Sequence, residues 1–295
     1  MPVVVDGIVV AEGVAAAVCF AASSAFKHAS ASHVDAARPT ARSGAAGFLT
    51  RTLQHPLWLA GLTADVGGVV LQILALRRGA LAVVQPLLLS SLVFALLMHG
   101  VARRRLAAKD LGWATAVVAL LAGFTLLCGS VPARTQEPVD RLPALVAGLV
   151  GLVVVATSVI VGIRHHTHPG RPALLGFAAG IVYAGTAALL KSLTTVAADH
   201  GIGHVLVSWQ LYAVVAAGAL GLAIAQLSFR AGPLAAGLPI AATVDPLLSI
   251  GLGVLLFDEH IRLGPGHGVV LGLLLTGLSF AVLQLTRSES RAVRP

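Results

Sequence analysis

Charged residues are scarce in this sequence, because they make up only 11% of its 295 residues, whereas soluble globular domains usually contain about 25%. Both cysteines, Cys19 and Cys128, fall within apolar segments, so neither a disulfide framework nor a zinc site is indicated. Two tyrosines and no block of lysine and arginine with interleaved aromatics argue against a nucleic-acid surface, despite a net charge of +8. What is abundant is apolar sequence, at 57% of the chain.

The apolar residues are collected into long runs. A bilayer-spanning helix needs roughly 20 mostly apolar residues, and a span must be a helix or part of a closed barrel because hydrocarbon offers its backbone no partner. None of the long runs alternates with a period of two, which excludes the barrel. The sequence therefore predicts an all-α, polytopic membrane helix bundle with about nine spans: 3–26, 56–76, 79–102, 111–133, 142–163, 172–190, 200–229, 233–257 and 263–286.

Basic residues are distributed unequally among the segments that connect these predicted spans. With the N-terminus outside, the inner segments hold fourteen lysines and arginines and the outer segments at most six. Because positive charge favours the cytoplasmic side, we predict a plasma-membrane protein with an outer N-terminus and a cytoplasmic C-terminus. The first run lacks a preceding basic region, so it is predicted to be a span and not a cleaved signal peptide. We expect 28–55 to be an inner loop or surface-lying helix, 131–141 an outer turn and 288–295 a solvated tail.

Two twelve-residue stretches resemble each other at a constant offset of 153 positions. The stretches 75–86 (ALRRGALAVVQP) and 228–239 (SFRAGPLAAGLP) agree at five aligned positions. Each connects two predicted spans, the first through an outer turn and the second through an inner turn. Inverted repeats are a construction principle of secondary transporters. Within one membrane domain, 1–295, we therefore predict a first repeat over 1–141 with the helix 142–164, and a second over 172–287.

The pattern Gly61-Leu62, then 72–76 (QILAL) and 79–87 (GALAVVQPL), with 255–260 (LLFDEH) in the second half, resembles the drug/metabolite transporter superfamily, EamA-like members included. The layout is similar to that of the NIPA-type magnesium transporters, which also have a long polar segment after the first span. The resemblance implies a secondary transporter of a small polar or cationic solute that works by alternating access. This chain departs from the pattern at His99, where an acidic residue is expected.

Ionisable residues within spans are costly, at roughly 2.5–3.5 kcal/mol each on insertion scales, so each calls for an explanation. For Asp245, next to Pro246, we prefer a cation or proton site over a neutral aspartate that fastens two helices. For Asp65 and Glu12, function and packing remain alternatives. For Lys191, we prefer a stem that lies in lipid with its ammonium at the surface over a substrate or gating role.

Glutamine and proline side chains complete the set of candidates. Glutamines can line a polar cavity or form interhelical hydrogen bonds, and both interpretations stay open. Prolines free backbone carbonyls, as in the broken helices of transporters. The histidines of 165–168 (HHTH) are better explained as interfacial residues than as a metal site. The candidates for substrate or ion binding are Asp245, Asp65, Glu12, Gln72, Gln85 and Gln226, and those for gating or helix breaks are Pro86, Pro239, Pro246 and Lys191.

No arrangement of Ser, His and Asp, of paired carboxylates or of a phosphate-binding loop stands out, so we predict neither enzymatic activity nor a cofactor. The leading hypothesis is a secondary transporter whose acids give a central cavity its negative character. Mg²⁺, which would keep several waters, and a proton-coupled metabolite remain open as solutes. The alternative is a non-transporting multi-pass scaffold or sensor. Expected partners are the bilayer and the solute, with a homodimer left open and no nucleic acid.

Overall fold

The predicted all-α architecture is confirmed by a computed structural model, which describes 7–37, 56–103, 108–128, 141–165, 170–231, 234–259 and, between 269 and 284, residues 269–270, 272–274, 276–278, 280–281 and 284. No strand occurs within these ranges, and the described residues from 269 onward are also helical. The helices are α1 (Gly7–Ala37), α2 (Pro56–Arg78), α3 (Leu81–Leu88), α4 (Ser90–Arg103), α5 (Ala108–Cys128), α6 (Arg141–Arg164), α7 (Arg171–His200), α8 (Ile202–Val205), α9 (Trp209–Ala231) and α10 (Leu234–Phe257).

Within the described part of the chain, six helical segments are long and apolar enough to cross a membrane. They correspond to six of the nine predicted spans, and they make this protein a membrane-embedded helix bundle. The spans are Gly7–Phe26, Pro56–Arg78, Leu142–Arg164, Arg171–His200, Trp209–Ser228 and Ile240–Phe257.

The third predicted span, 79–102, is divided between α3 and α4 by a turn at Leu89. Pro86 has no amide hydrogen for the carbonyl four residues earlier, which weakens the helix at this point. In the described part of 111–133, the apolar helical stretch is shorter, Thr115–Phe124. Much of 263–286 lies outside the described residues, so the count of nine spans stays a prediction.

Two helices extend beyond their predicted ends. Helix α1 continues through Ala37, so 28–37 is helical and continuous with the first span and the predicted loop is wrong there, while 38–55 lies outside the described residues. Helix α7 continues to His200 and not only to 190, and Gly201 then ends it with a φ of 82° that suits glycine. The next span accordingly begins at Trp209 and not at 200. The predicted turn at 131–140 and the tail at 288–295 also lie outside the described residues.

Helix α7 is the centre of the second half of the bundle, where it packs against α6, α9 and α10. Glycines allow this close approach: a Cβ on Gly176 would overlap the backbone of Gly237, and one on Gly180 would lie 2.9 Å from the carbonyl oxygen of Ala241. The hydroxyl of Ser228 in α9 donates a 2.7 Å hydrogen bond to the carbonyl of Pro172 in α7. Small residues and interhelical hydrogen bonds therefore hold this half together, as expected in lipid.

Helix α1 has the corresponding place in the first half, where it packs against α2, α3 and α4. A Cβ on Gly68 of α2 would lie 2.7 Å from the ring of Phe20 in α1. Helix α3 connects the two halves, because Leu81 and Val84 pack in one buried cluster with Ala187 of α7. The position of α3 between α1 and α7 determines where the candidate functional residues meet.

We predict that Gly176→Ala destabilises the protein, because the added methyl group meets backbone that cannot rotate away. Overpacking of this kind typically costs about 1–3 kcal/mol. Thermal unfolding in detergent should show a clearly lower midpoint for this variant. Gly185→Ala on the same helix is the matched control, because nothing lies within 4 Å of the added atom. Equal midpoints for the two variants would contradict the proposed helix contact.

Candidate functional site

The C-terminal end of α10 carries a buried carboxylate. Asp258 has a positive φ of 48°, a left-handed conformation that commonly terminates helices and that aspartate tolerates better than most residues. This turn brings the amide of Glu259 to 3.1 Å from the carbonyl oxygen of Gly253, to which it donates a hydrogen bond. A Cβ on Gly253 would overlap the carboxylate of Glu259, whose side chain is completely buried. The end of α10 is therefore shaped around this acid.

The carboxylate of Glu259 lies at the N-terminus of α3. Its Oε1 accepts a 2.8 Å hydrogen bond from the amide of Leu81, and its Oε2 lies 3.4 Å from the amide of Ala82. The first amides of a helix have no partner within the helix and carry partial positive charge. Ala80, which precedes α3, offers no side-chain cap. Glu259 thus supplies the N-terminal cap of α3 from a residue far away in sequence.

Lys191 of α7 completes this cluster. Its Nζ forms an ion pair with Oε1 of Glu259, lies 3.4 Å from the carbonyl oxygen of Gly79, and is 5.2 Å from the ring centre of Phe257. The side chain is only 14% exposed. The preferred interpretation from sequence, a stem lying in lipid, is therefore wrong, because the ammonium points into the bundle toward a buried acid.

A second ion pair lies at the same end of the bundle. Glu12 of α1 pairs with Arg78 at the end of α2. This pair is more accessible to solvent, since the Arg78 side chain is 48% exposed. The Oε2 of Glu12 has no hydrogen-bond partner among the described residues. Both ion pairs, Glu259–Lys191 and Glu12–Arg78, therefore lie at one end of the bundle. We call this the Glu259 end.

Asp245 lies within α10, where it is partly buried beside the fully buried Pro246. Its Oδ1 accepts a 3.2 Å hydrogen bond from the hydroxyl of Ser249, one turn further along the same helix. The preceding residue, Val244, lies against Gly180 of α7, where these two helices pack closely. A carboxyl group is thus held inside a membrane helix by a neutral partner of that same helix.

The remaining predicted residues fall in different environments. Gln72 of α2 and Gln85 of α3 are buried, and Nε2 of Gln85 has no partner among the described residues. Gln226 is exposed on α9, so the structure does not place Gln72 and Gln226 in one common environment. Asp65 is partly buried in α2. Pro86 is buried in α3. Helix α10 continues without interruption through Pro239 and Pro246, so the helix breaks considered there are absent.

Glu259 is the functional candidate that sequence reasoning missed. The sequence signal was an Asp-Glu pair at the end of an apolar run, in the segment 255–260 that carries the family resemblance. No property of that segment indicated a partner as distant as Lys191 or the start of α3. The pairing depends on where three helices meet, which only the tertiary structure defines.

The described residues contain no group of three or more His, Cys, Asp or Glu side chains that could hold a metal ion. A cavity of about 440 Å³ lies where α6 gives way to α7. His165, from the HHTH segment, is exposed at this cavity beside Arg171, while 166–169 lies outside the described residues. The cavity is therefore a surface feature at the end of the bundle where α7 begins.

Comparisons with known proteins identify one relative of similar length. The chain is 27% identical over 247 residues to an uncharacterized protein of Corynebacterium glutamicum, and the match covers 82% of this chain and 83% of that protein. No family model matches the chain. No solved structure matches it either. The fold and the buried charges define its class as a membrane-embedded, all-α helix bundle with ionisable groups inside.

We predict that Lys191→Met destabilises the protein by about 3–5 kcal/mol, because it leaves the buried Glu259 carboxylate without its counter-charge. The double variant with Glu259→Gln should recover part of this loss. Arg78→Met is the matched control, since its half-exposed ion pair is worth only about 0–1 kcal/mol. Equilibrium unfolding in detergent measures all three. A loss for Lys191→Met no larger than that for Arg78→Met would contradict the buried pair.

Proposed function

We propose that this protein is a secondary transporter of the drug/metabolite transporter type, which moves a small polar or cationic solute across the cell membrane by alternating access. The observation that carries the proposal is Asp245, a carboxyl group inside the membrane helix α10, whose hydrogen-bond partner among the described residues is the hydroxyl of Ser249 on the same helix. Ionisable residues at such positions commonly mark ion and substrate pathways.

The surroundings of Asp245 support this role. Its helix contains Pro239 and Pro246, each of which leaves a backbone carbonyl without its usual amide partner. Such carbonyls coordinate cations in the discontinuous helices of transporters. Oxygen ligands of this kind suit a hydrated cation or a protonated solute group, whereas a purely structural aspartate needs none of them.

The connections between helices support the predicted repeat. Helix α2 ends at Arg78 and α3 begins at Leu81, while α9 ends at Ala231 and α10 begins at Leu234. The two helix ends are 153 positions apart, and so are the two helix starts. This is also the offset between the two matching sequence stretches. In each half, the first helix, α1 or α7, packs against the helices on both sides of this connection. Two halves built alike are what alternating access by exchange of conformations requires.

In the proposed mechanism, the halves rock about a central site to which Asp245 supplies the negative charge. Gln72 and Gln85 orient the solute, because an amide offers both donors and acceptors. Asp65 and Glu12 add negative potential along the route. The solute is Mg²⁺ with several of its waters, or a cationic metabolite that exchanges with a proton on a carboxylate. Nine spans, inverted orientation of the halves and an outer N-terminus belong to the same proposal.

We predict that Asp245→Asn preserves membrane insertion and abundance but lowers flux by about tenfold or more, equivalent to at least about 1.4 kcal/mol of lost solute binding. Flux of Mg²⁺ and of amino acids into proteoliposomes, with proton movement followed in parallel, measures the effect. Asp199→Asn, at an exposed acid near the end of α7, is the matched control. A protein that moves none of these solutes would favour a non-transporting scaffold or sensor, and unchanged flux in Asp245→Asn would show that Asp245 is not part of the solute site.

A further inference from the structure

We propose that Glu259, Lys191 and the N-terminus of α3 form a latch that closes the Glu259 end of the bundle and opens once in every transport cycle. This inference rests on the proposed function and adds the gate that transport by alternating access requires. It assigns a role to Glu259, and it gives Lys191 the gating role that its sequence position left open.

The latch joins the two halves of the protein. Glu259 and Lys191 belong to the second half, whereas the Leu81 and Ala82 amides that Glu259 contacts belong to the first. The Gly79 carbonyl that Lys191 approaches also belongs to the first half. If the halves separate at this end, these contacts must break together. The Glu12–Arg78 pair lies entirely within the first half, so the same movement leaves it intact.

The local geometry allows the latch to release. Glu259 follows the last residue of α10 by only two positions, so rotation about the Asp258 backbone moves its carboxylate without unwinding a helix. Asp258 holds a left-handed conformation that non-glycine residues adopt infrequently, and release allows it to leave that conformation. Removing water from two charges nearly offsets the attraction between them, so buried and hydrated forms of an ion pair can lie close in free energy. A gate requires closed and open states of similar free energy.

A polar group lies directly beneath the latch. Gln85 is one helical turn beyond Leu81 and therefore on the same side of α3. Its side chain is 3% exposed, and Nε2 has no hydrogen-bond partner among the described residues. A buried amide donor without a partner is costly, so it gains a partner when water or solute enters from the Glu259 end. The latch thus separates solvent from a glutamine that can bind solute.

The test measures access to the buried residue Val84 in the full-length protein in nanodiscs, where both ends meet solvent. The reporter is Val84→Cys, with Cys19 and Cys128 replaced by alanine, and its reaction rate with a membrane-impermeant thiol reagent is measured. Val84 is completely buried next to α7. We expect Glu259→Gln and Lys191→Met each to raise the rate by about tenfold or more, a shift of about 1.4 kcal/mol toward the open state. Arg78→Gln, which breaks only the pair within the first half, should leave the rate unchanged.

A second reporter distinguishes gating from general loosening. Ala178 is completely buried on α7 near its other end, and Ala178→Cys should not react faster in the Glu259→Gln variant. An unchanged rate at Val84→Cys, or an equal rise at both reporters, would overturn the latch. If Glu259→Gln is not recovered in folded form, Glu259→Asp keeps the charge but shortens the reach. That variant should raise the Val84→Cys rate by a smaller factor, and no rise would overturn the proposal.

Labelling requires no transported solute, so the latch and the proposed function can fail separately. Loss of flux in Asp245→Asn together with unchanged labelling in Glu259→Gln overturns the latch and leaves the transporter. Faster labelling at Val84→Cys in a protein that moves no solute supports a hinged closure of this end and overturns transport. The two sets of measurements therefore give four distinct outcomes.

Discussion

The absence of hydrogen-bonding partners in hydrocarbon is the constraint on which the rest of this structure depends. It makes each apolar run a helix, since only a helix satisfies the backbone within one segment. It also removes the hydrophobic drive between helices, so close contact must come from small residues, as where α7 meets α10 at Gly176 and Gly180. Polar groups that remain inside must find partners in the protein, as the hydroxyl of Ser228 does with the carbonyl of Pro172.

The same constraint gives the charged residues their importance. Lys191 and Glu259 are both largely removed from solvent, and they form an ion pair with each other. Each also has a backbone partner of its own: the Leu81 amide for Glu259 and the Gly79 carbonyl for Lys191. The carboxylate caps a helix whose own sequence offers no cap, and the ammonium approaches a backbone carbonyl and an aromatic ring. Asp245 differs, because among the described residues its hydrogen-bond partner is a neutral serine. The charges of Lys191 and Glu259 are thus compensated within the protein, whereas the Asp245 carboxyl group retains capacity to bind a solute.

This contrast fits two separate roles in the proposed transporter: Lys191 and Glu259 close one end, and Asp245 binds solute. A complete cluster at one end of the bundle holds two halves together, while an incompletely satisfied carboxyl lies deeper in the second half. The buried amide of Gln85, whose Nε2 has no partner among the described residues, lies one helical turn from Leu81 at the start of α3.

The sequence by itself determined the class of fold and most of the spans, because apolar length and the demands of the backbone in lipid are local properties. It also placed Asp245 and Pro246 within one membrane helix, since that too depends only on neighbouring residues. It misjudged Lys191, and it missed Glu259, because an ion pair 68 positions apart in the chain has no local signature. Only the tertiary structure decided those contacts, since they exist where α3, α7 and the end of α10 converge.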